Sequence, residues 1–119
     1  MYSVKKKFRF EAAHQLDHAY SKCCSESIHG HSYVLIVELE RVVLDSSCMV
    51  LDFGRLSEIV REEIVDKLDH ALIIPASFSK GRIARIQEYN RKVVVWPTNP
   101  TAESMAQSFF ITISKRLKV

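Results

Sequence analysis

Two stretches with a period of two decide the fold: YSVKKKFRFEA at residues 2–12 and HSYVLIVEL at residues 31–39. The even positions of the first stretch are apolar except at Lys6, and the odd positions of the second are apolar after His31. Successive side chains of a strand point to opposite faces, so each stretch predicts a strand with one apolar face. If the strands pair antiparallel, the end of the first lies beside the start of the second.

A first helix is predicted after Asp52, because the apolar side chains that follow recur at helical spacing. They are Leu56, Ile59, Val60, Ile64 and Leu68, and the helix is expected to end near the last of them. Asp45, Ser46 and Ser47 predict the turn that precedes it. Residues 77–90 are polar without a clear period, so we interpret them as an irregular excursion.

The last part of the chain predicts a short strand and a second helix. Residues 92–96 form a β-branched run that Pro97 ends. Thr101 is a suitable N-cap, and Glu103 lies in the first turn, where its charge is favourable to the helix dipole. The apolar stripe of this helix comprises Ala102, Met105, Ala106, Phe109, Ile113 and Leu117.

Length and composition predict one small α+β domain over residues 1–119. The chain is 47% hydrophobic and 26% charged with only three Gly and three Pro, which excludes disordered and collagen-like proteins. Its net charge is +3, weaker than that of a nucleic-acid binder. The one basic cluster, Lys5, Lys6, Lys7 and Arg9, is interpreted as a solvated strand face. Mild positive charge favours an anionic small molecule as the partner.

Cysteine usage and hydropathy predict a cytoplasmic protein without a membrane span. There are three cysteines, of which Cys23 and Cys24 are adjacent, so they cannot form a disulfide framework. No apolar leader precedes Tyr2, and no apolar run approaches the roughly 20 residues that span a bilayer. Cys48 precedes an apolar run and is expected to be a buried small hydrophobe.

Three histidines occupy the alternate positions that carry the apolar faces of the two predicted strands. His14 extends the face that carries Ala12, and His29 and His31 extend the face of the second strand. Antiparallel pairing would bring all three together, which matches a zinc site with three protein ligands and an open fourth position. Copper or iron would also accept these ligands. The alternative is that each is an ordinary polar residue at a strand end; His18 lacks this support and is assigned to a loop.

Four motifs in order, FEAAH at 10–14, HGH at 29–31, LDH at 68–70 and NPTAE at 99–103, resemble the 6-pyruvoyltetrahydropterin and 6-carboxytetrahydropterin synthase family. The resemblance implies a tunnelling-fold (T-fold) α+β subunit with an antiparallel sheet and two helices on one face. It also implies homo-oligomers, commonly hexamers made of two trimers, with active sites at subunit boundaries.

The resemblance further implies the chemistry of the site. His14, His29 and His31 would hold Zn²⁺, while Asp69 and His70 would form a proton relay with a loop cysteine. The substrate would be dihydroneopterin triphosphate. Thr101 is the best candidate for a pterin contact, with a plain N-cap as its alternative.

The loop that would supply the base combines features of three enzyme groups. Cys23 occupies the cysteine position of the pyruvoyl type, and Ser25 the cysteine position of the carboxy type. Glu26 matches the glutamate of enzymes that form 6-hydroxymethyldihydropterin for folate. Cys24 could replace Cys23. The resemblance favours 6-carboxytetrahydropterin for queuosine and other 7-deazaguanines, with the other two products and a non-catalytic zinc or pterin binder as alternatives.

Family members follow the second helix with a strand pair whose glutamate anchors the pterin. The sequence to Val119 contains no such pair, so the C-terminal hairpin is expected to be absent and the pterin anchor is unassigned. Either the chain is incomplete, or the hairpin has been lost together with its contribution to pterin binding and trimer closure.

Overall fold

The protein is described from a computed structural model of residues 1–119, with the side chain of Cys23 outside the described residues. Its strands are β1 (Tyr2–His14), β2 (His29–Arg41), β3 (Ala71–Pro75) and β4 (Val93–Trp96). Its helices are α1 (Lys22–Glu26), α2 (Phe53–Val60), α3 (Asp66–Leu68), α4 (Lys80–Tyr89) and α5 (Ala102–Leu117). A π-helical segment, Arg61–Val65, joins α2 directly to α3.

The four strands form one sheet in the order β2-β1-β3-β4. β1 and β2 pair antiparallel over their whole length, from Tyr2 opposite Arg41 to His14 opposite His29, which confirms the predicted hairpin. β3 pairs parallel with the last residues of β1, and β4 pairs parallel with β3. The sheet is therefore mixed rather than antiparallel throughout. Helical segments precede both parallel strands: α2 to α3 before β3, and α4 before β4.

Two helical elements cover one face of this sheet, as expected. The buried cluster between them joins residues from β1, from the helical rod α2 to α3, and from α5: Phe8, Phe10, Ala12, Leu56, Val60, Ile64, Leu68, Met105, Phe109 and Ile113. Both helices begin at the predicted caps. The Asp52 carboxylate accepts a hydrogen bond from the Arg55 amide, and the Thr101 hydroxyl accepts one from the Ser104 amide.

Besides α1, which replaces an expected loop, two elements differ from the sequence-based expectation. β3 was not predicted, because all five of its residues are buried and its sequence ALIIP does not alternate. α4 occupies residues interpreted as an irregular excursion, and none of its residues is buried. Two apolar residues of α4, Ile83 and Ile86, pack against a small cluster on the second face of β3, and the Arg82 guanidinium lies over the Phe78 ring of that cluster. With so few apolar residues on its inner face, the amphipathic signal of α4 is weak.

Cys48 is exposed, so the expectation of a buried hydrophobe is wrong. Its φ of 62° places it in a left-handed turn, where Asp45 accepts hydrogen bonds from the amides of Ser47 and Met49. This is the turn predicted at Asp45, and it keeps the cysteine out of the core. In the part of the chain that the structure describes, no helix combines the length and apolarity needed to cross a membrane.

Candidate metal centre

The register of β1 and β2 brings three imidazoles to one end of the hairpin. His14 lies opposite His29, and Ala12 lies opposite His31, so the three histidines share one face. Their rings are 4.5 to 4.9 Å apart between centroids. One nitrogen of each ring lies within 4.8 Å of the nitrogens of the other two. The convergence predicted from strand parity is therefore present in the structure.

Hydrogen bonds to carbonyl oxygens assign the proton on two of these rings. His14 Nδ1 lies 2.8 Å from the Pro100 oxygen, and His29 Nδ1 lies 3.4 Å from the Ser27 oxygen. A carbonyl only accepts, so each Nδ1 carries a proton, and a ring protonated at Nδ1 alone presents Nε2 as a ligand atom. The two Nε2 atoms face each other at 3.0 Å. At that distance the two nitrogens either share a proton or can hold a cation between them.

The cluster fits a metal ion in both spacing and charge. Zinc–nitrogen bonds of about 2.0–2.1 Å in a tetrahedron place neighbouring nitrogens about 3.3 Å apart, close to the separation of the two Nε2 atoms. Burial lowers the pKa of His14 below its ordinary value, reinforced by the neighbouring His29 and His31 and opposed by the Pro100 hydrogen bond. The lowered pKa favours the neutral form that binds metals. His31 is exposed, which leaves the cluster open to solvent on its side.

An aromatic pair forms the floor of the cluster. Tyr33 follows His31 on the same face of β2 and stacks on Phe10 with centroids 4.9 Å apart. Its ring meets His31 and His14 edge-on at 5.6 and 6.2 Å. Burial raises the pKa of Tyr33, so the phenol stays neutral. This floor shields the inner side of the histidines from water and holds their rings in place.

The segment before α5 supports the cluster from outside the hairpin, a role that strand parity did not reveal. Pro100 is fully buried and supplies the carbonyl for His14. The Asn99 side chain accepts from the Asp17 amide at 2.7 Å and donates to the Asp17 carbonyl at 2.6 Å. The described partner of the Thr101 hydroxyl is the Ser104 amide, so its observed role is that of an N-cap. The NPTAE motif was the only sequence signal for this support.

The candidate bases lie on a short helix rather than on an irregular loop. α1 contains Cys23, Cys24 and Glu26, and it ends three residues before His29. Cys24 is half-buried and Glu26 is exposed. The prediction that Cys23 is the thiol base falls on a side chain outside the described residues. Its helix nevertheless leads directly into the strand that carries two of the histidines.

Asp69 and His70 form an oriented pair at the end of α3. Asp69 Oδ2 lies 3.1 Å from His70 Nδ1, and Asp69 Oδ1 accepts a hydrogen bond from the Glu11 amide at 2.9 Å. The Glu11 hydrogen bond lowers the pKa of Asp69, and His70 lowers it further, against a smaller opposing effect of burial. His70 adopts a left-handed conformation with φ 61°, and its side chain is 79% exposed. The imidazole therefore presents its second nitrogen to solvent.

His70 and His31 both line an open depression of about 480 Å³. Glu11 and Ser32 also line it, and Ser32 donates a hydrogen bond to the Glu11 carboxylate at 2.7 Å. Glu11 and Ser32 lie opposite each other, one position away from the pair Ala12 and His31, so their side chains point to the face of the sheet opposite to the histidines. Residues of both faces of the hairpin therefore border the depression, with His31 on the histidine face and Glu11 and Ser32 on the other.

Other chains share this arrangement of sequence and fold. The family model described as 6-pyruvoyl tetrahydropterin synthase matches residues 3–119. The 6-carboxy-5,6,7,8-tetrahydropterin synthase of Haemophilus influenzae is 36% identical over 115 residues, covering 92% of this chain and 80% of that protein. The synthase of the same name from Rickettsia conorii is 28% identical over 130 residues, covering 97% and 92%.

A solved structure extends the likeness to the fold. The 6-pyruvoyl tetrahydropterin synthase of Caenorhabditis elegans superposes with a TM-score of 0.67 at 24% identity, covering 96% of this chain and 77% of that one. The expected T-fold α+β class is thereby confirmed. The expectation of an enzyme is confirmed as well, because the relatives are themselves named synthases. The family match over almost the whole chain leads to one conclusion: this chain belongs to the 6-pyruvoyl tetrahydropterin synthase family.

Proposed function

We propose that the protein is a zinc-dependent lyase that converts 7,8-dihydroneopterin triphosphate to 6-carboxy-5,6,7,8-tetrahydropterin for queuosine and other 7-deazaguanines. The observation that carries the proposal is the convergence of three imidazoles, in which the Nε2 atoms of His14 and His29 face each other at 3.0 Å beside His31. The names of the relatives support the choice of product. Zinc is the metal chosen because three imidazoles with an open position are typical of catalytic zinc.

His14, His29 and His31 are the proposed ligands. When bound, zinc would supply Lewis acidity to the hydroxylated side chain of the pterin. The protein's own groups would handle the protons. His70 would hold or deliver a proton at the nitrogen that does not face Asp69, and the ionised Asp69 would keep the imidazole oriented.

The bases on α1 are the second part of the proposed machinery. The Cys23 thiol, or the Cys24 thiol in its place, would remove a proton from the substrate side chain, and the Glu26 carboxylate would offer an alternative base. Thr101 is proposed as a pterin contact through its backbone or through a rearranged hydroxyl, since its side chain already caps α5. Proton transfer by a positioned side chain contributes about 10²- to 10⁴-fold to the rate.

The complete site is proposed to form between subunits of a homo-oligomer, a hexamer of two trimers. The Asp69 carboxylate is bonded to the Glu11 amide of β1, and the His70 side chain is 79% exposed. This exposure supports a pair that serves the metal centre of a neighbouring subunit. Residues 1–119 are proposed to form a single domain of this cytoplasmic assembly.

The test is product analysis with dihydroneopterin triphosphate. Metal-stripped protein is compared with protein reloaded with zinc, and the products are separated by chromatography. The side chain has three carbons and the product keeps one, so a carbon–carbon bond must break and the other two carbons leave as acetaldehyde. We expect 6-carboxytetrahydropterin, acetaldehyde and released triphosphate only from the reloaded sample. Accumulation of 6-pyruvoyltetrahydropterin or 6-hydroxymethyldihydropterin would assign one of the other products. Full turnover by the stripped protein would contradict the role of the metal.

The role of Glu26 is tested by the ratio of products. Glu26→Ala should diminish any 6-hydroxymethyldihydropterin and leave the cysteine-dependent product largely intact, whereas Cys23→Ala should do the reverse. Cys24→Ala is the matched control for the neighbouring thiol. An unchanged ratio in Glu26→Ala would make Glu26 an exposed acid without a catalytic role, and a loss of rate in Cys24→Ala alone would move the thiol base to Cys24.

A further inference from the structure

Gln15 is a buried polar residue that directly follows the first histidine of the cluster. Only 4% of it is exposed, and its backbone amide donates to the Ile73 carbonyl of β3 at 3.2 Å. Its side-chain amide donates to the Ser25 carbonyl of α1 at 2.9 Å. The next amide along the chain, that of Leu16, donates to the Cys24 carbonyl at 2.7 Å. The end of β1 is thus bonded to two successive carbonyls of α1.

These two carbonyls need partners from outside α1. The last carbonyls of any helix lack partners within it, and both belong to the final turn of α1. α1 has five residues and no side-chain hydrogen bond at its N-cap. A helix that short does not persist on its own propensity. Its position therefore depends on tertiary contacts, of which the buried Gln15 amide is one.

The far side of the same segment is bonded to the metal strand. His29 Nδ1 donates to the Ser27 carbonyl at 3.4 Å, two residues after the carbonyl that Gln15 contacts. The segment from Ser25 to Ser27 is therefore held between β1, through Gln15, and β2, through His29. Any displacement of α1 at the Gln15 end would change the distance between its side chains and the histidine cluster.

We propose that Gln15 is a positioning residue that fixes the base-bearing helix α1 against the end of β1, at a set distance from the three histidines. The proposal rests on the proposed function, because it assigns the bases to α1. Gln15 is not among the proposed metal ligands or bases. It acts through the Ser25 carbonyl, and a displacement of about 1 Å at a reacting group costs about 10²-fold in rate.

The principal variant is Gln15→Met, which keeps an unbranched side chain of similar length and removes the amide donor. Gln107→Met makes the same change at an exposed position of α5 and serves as the matched control. Circular dichroism and zinc content are measured first. Should Gln15→Met fail to fold, Gln15→Leu takes its place, because it is also uncharged and has no donor for the Ser25 carbonyl.

Two measurements then test the proposal. Amide hydrogen exchange should quicken in α1, at Cys24 and Ser25 above all, without quickening in β1 or β2. In steady-state kinetics, kcat should fall about 10²-fold with little change in KM or zinc content. The control should match the wild type in both measurements. Unchanged exchange in α1 would overturn the proposal.

A kinetic cycle separates positioning from a general structural effect. Gln15→Met is combined with Cys23→Ala, Cys24→Ala and Glu26→Ala, so that α1 carries no base. If Gln15 acts by placing those bases, Gln15→Met should lower kcat by less than about 3-fold in this background. A loss of equal size in both backgrounds would overturn the proposal. A wild type without turnover would refute the proposed function instead, and hydrogen exchange would still decide whether Gln15 holds α1.

Discussion

At the scale of single residues, the site depends on where each histidine proton lies. Strand parity was enough to predict that His14, His29 and His31 converge. It could not predict that the carbonyls of Pro100 and Ser27 take the Nδ1 protons, since those carbonyls come from backbone outside the strand pattern. These hydrogen bonds orient the rings and present Nε2 as a ligand atom, which is how proteins fix the tautomer of a metal-binding histidine.

Removal of a proton-transfer group should reduce turnover without releasing metal. Cys23→Ala and His70→Ala should fold, retain zinc, and lose about 10²- to 10⁴-fold in kcat. His18→Ala is a suitable control, because His18 is an exposed loop residue beside Asp17, as predicted. Steady-state rates and zinc content of the three variants check this expectation. Near-wild-type turnover in His70→Ala would contradict the proton-relay role.

Asp69 should make stability depend on pH in a defined direction. The Glu11 amide lowers its folded-state pKa below the ordinary 3.8, so the ionised form stabilises the fold. That contribution is fully present above the unfolded pKa and is lost as the pH falls through the folded one. Asp69→Asn should therefore be less stable than the wild type near pH 7, and the difference should shrink below about pH 4.

Denaturant unfolding at several pH values between 7 and 2.5 measures this difference. Asp66→Asn provides the matched control, because Asp66 is an exposed acid in α3, the short helix that Asp69 follows. A difference between wild type and Asp69→Asn that grows on acidification would contradict the assignment of the lowered pKa.

At the scale of elements, the strongest periodic signals predicted the fold best. β1, β2, β4, the rod from α2 to α3, and α5 follow from alternation, helical spacing and caps. The π-helical segment inside the rod was not predictable, because its apolar residues keep helical spacing. β3 was missed because burial on both faces removes alternation, and α4 because only its two half-buried isoleucines mark an inner face.

Two adjacent phenylalanines on α5 test this packing. Phe109 is 8% exposed and packs its ring edge against Phe10 and Trp96, whereas Phe110 is 75% exposed. Phe109→Ala should lower the free energy of unfolding by about 3–5 kcal/mol. Phe110→Ala should change it by less than about 0.5 kcal/mol. Chemical denaturation of both variants measures the difference, and equal losses would contradict the orientation of α5.

At the scale of the whole molecule, the site lies where the sheet is widest. The protein measures 53 × 28 × 23 Å, and a 13-residue hairpin alone extends about 43 Å. β3 joins β1 only along Ala12 to His14, at the end of the hairpin that carries the histidines. The same few residues therefore lie next to the histidine cluster, the pair Asp69 and His70, and the attachment of α1.

Metal content measures the central claim most directly. After zinc loading and dialysis, elemental analysis of the wild type should give one zinc per chain, and His31→Ala should lose most of it because a three-ligand site cannot spare a ligand. His18→Ala should retain one zinc per chain. One zinc per chain retained by His31→Ala, at wild-type affinity, would contradict a metal centre built from His14, His29 and His31.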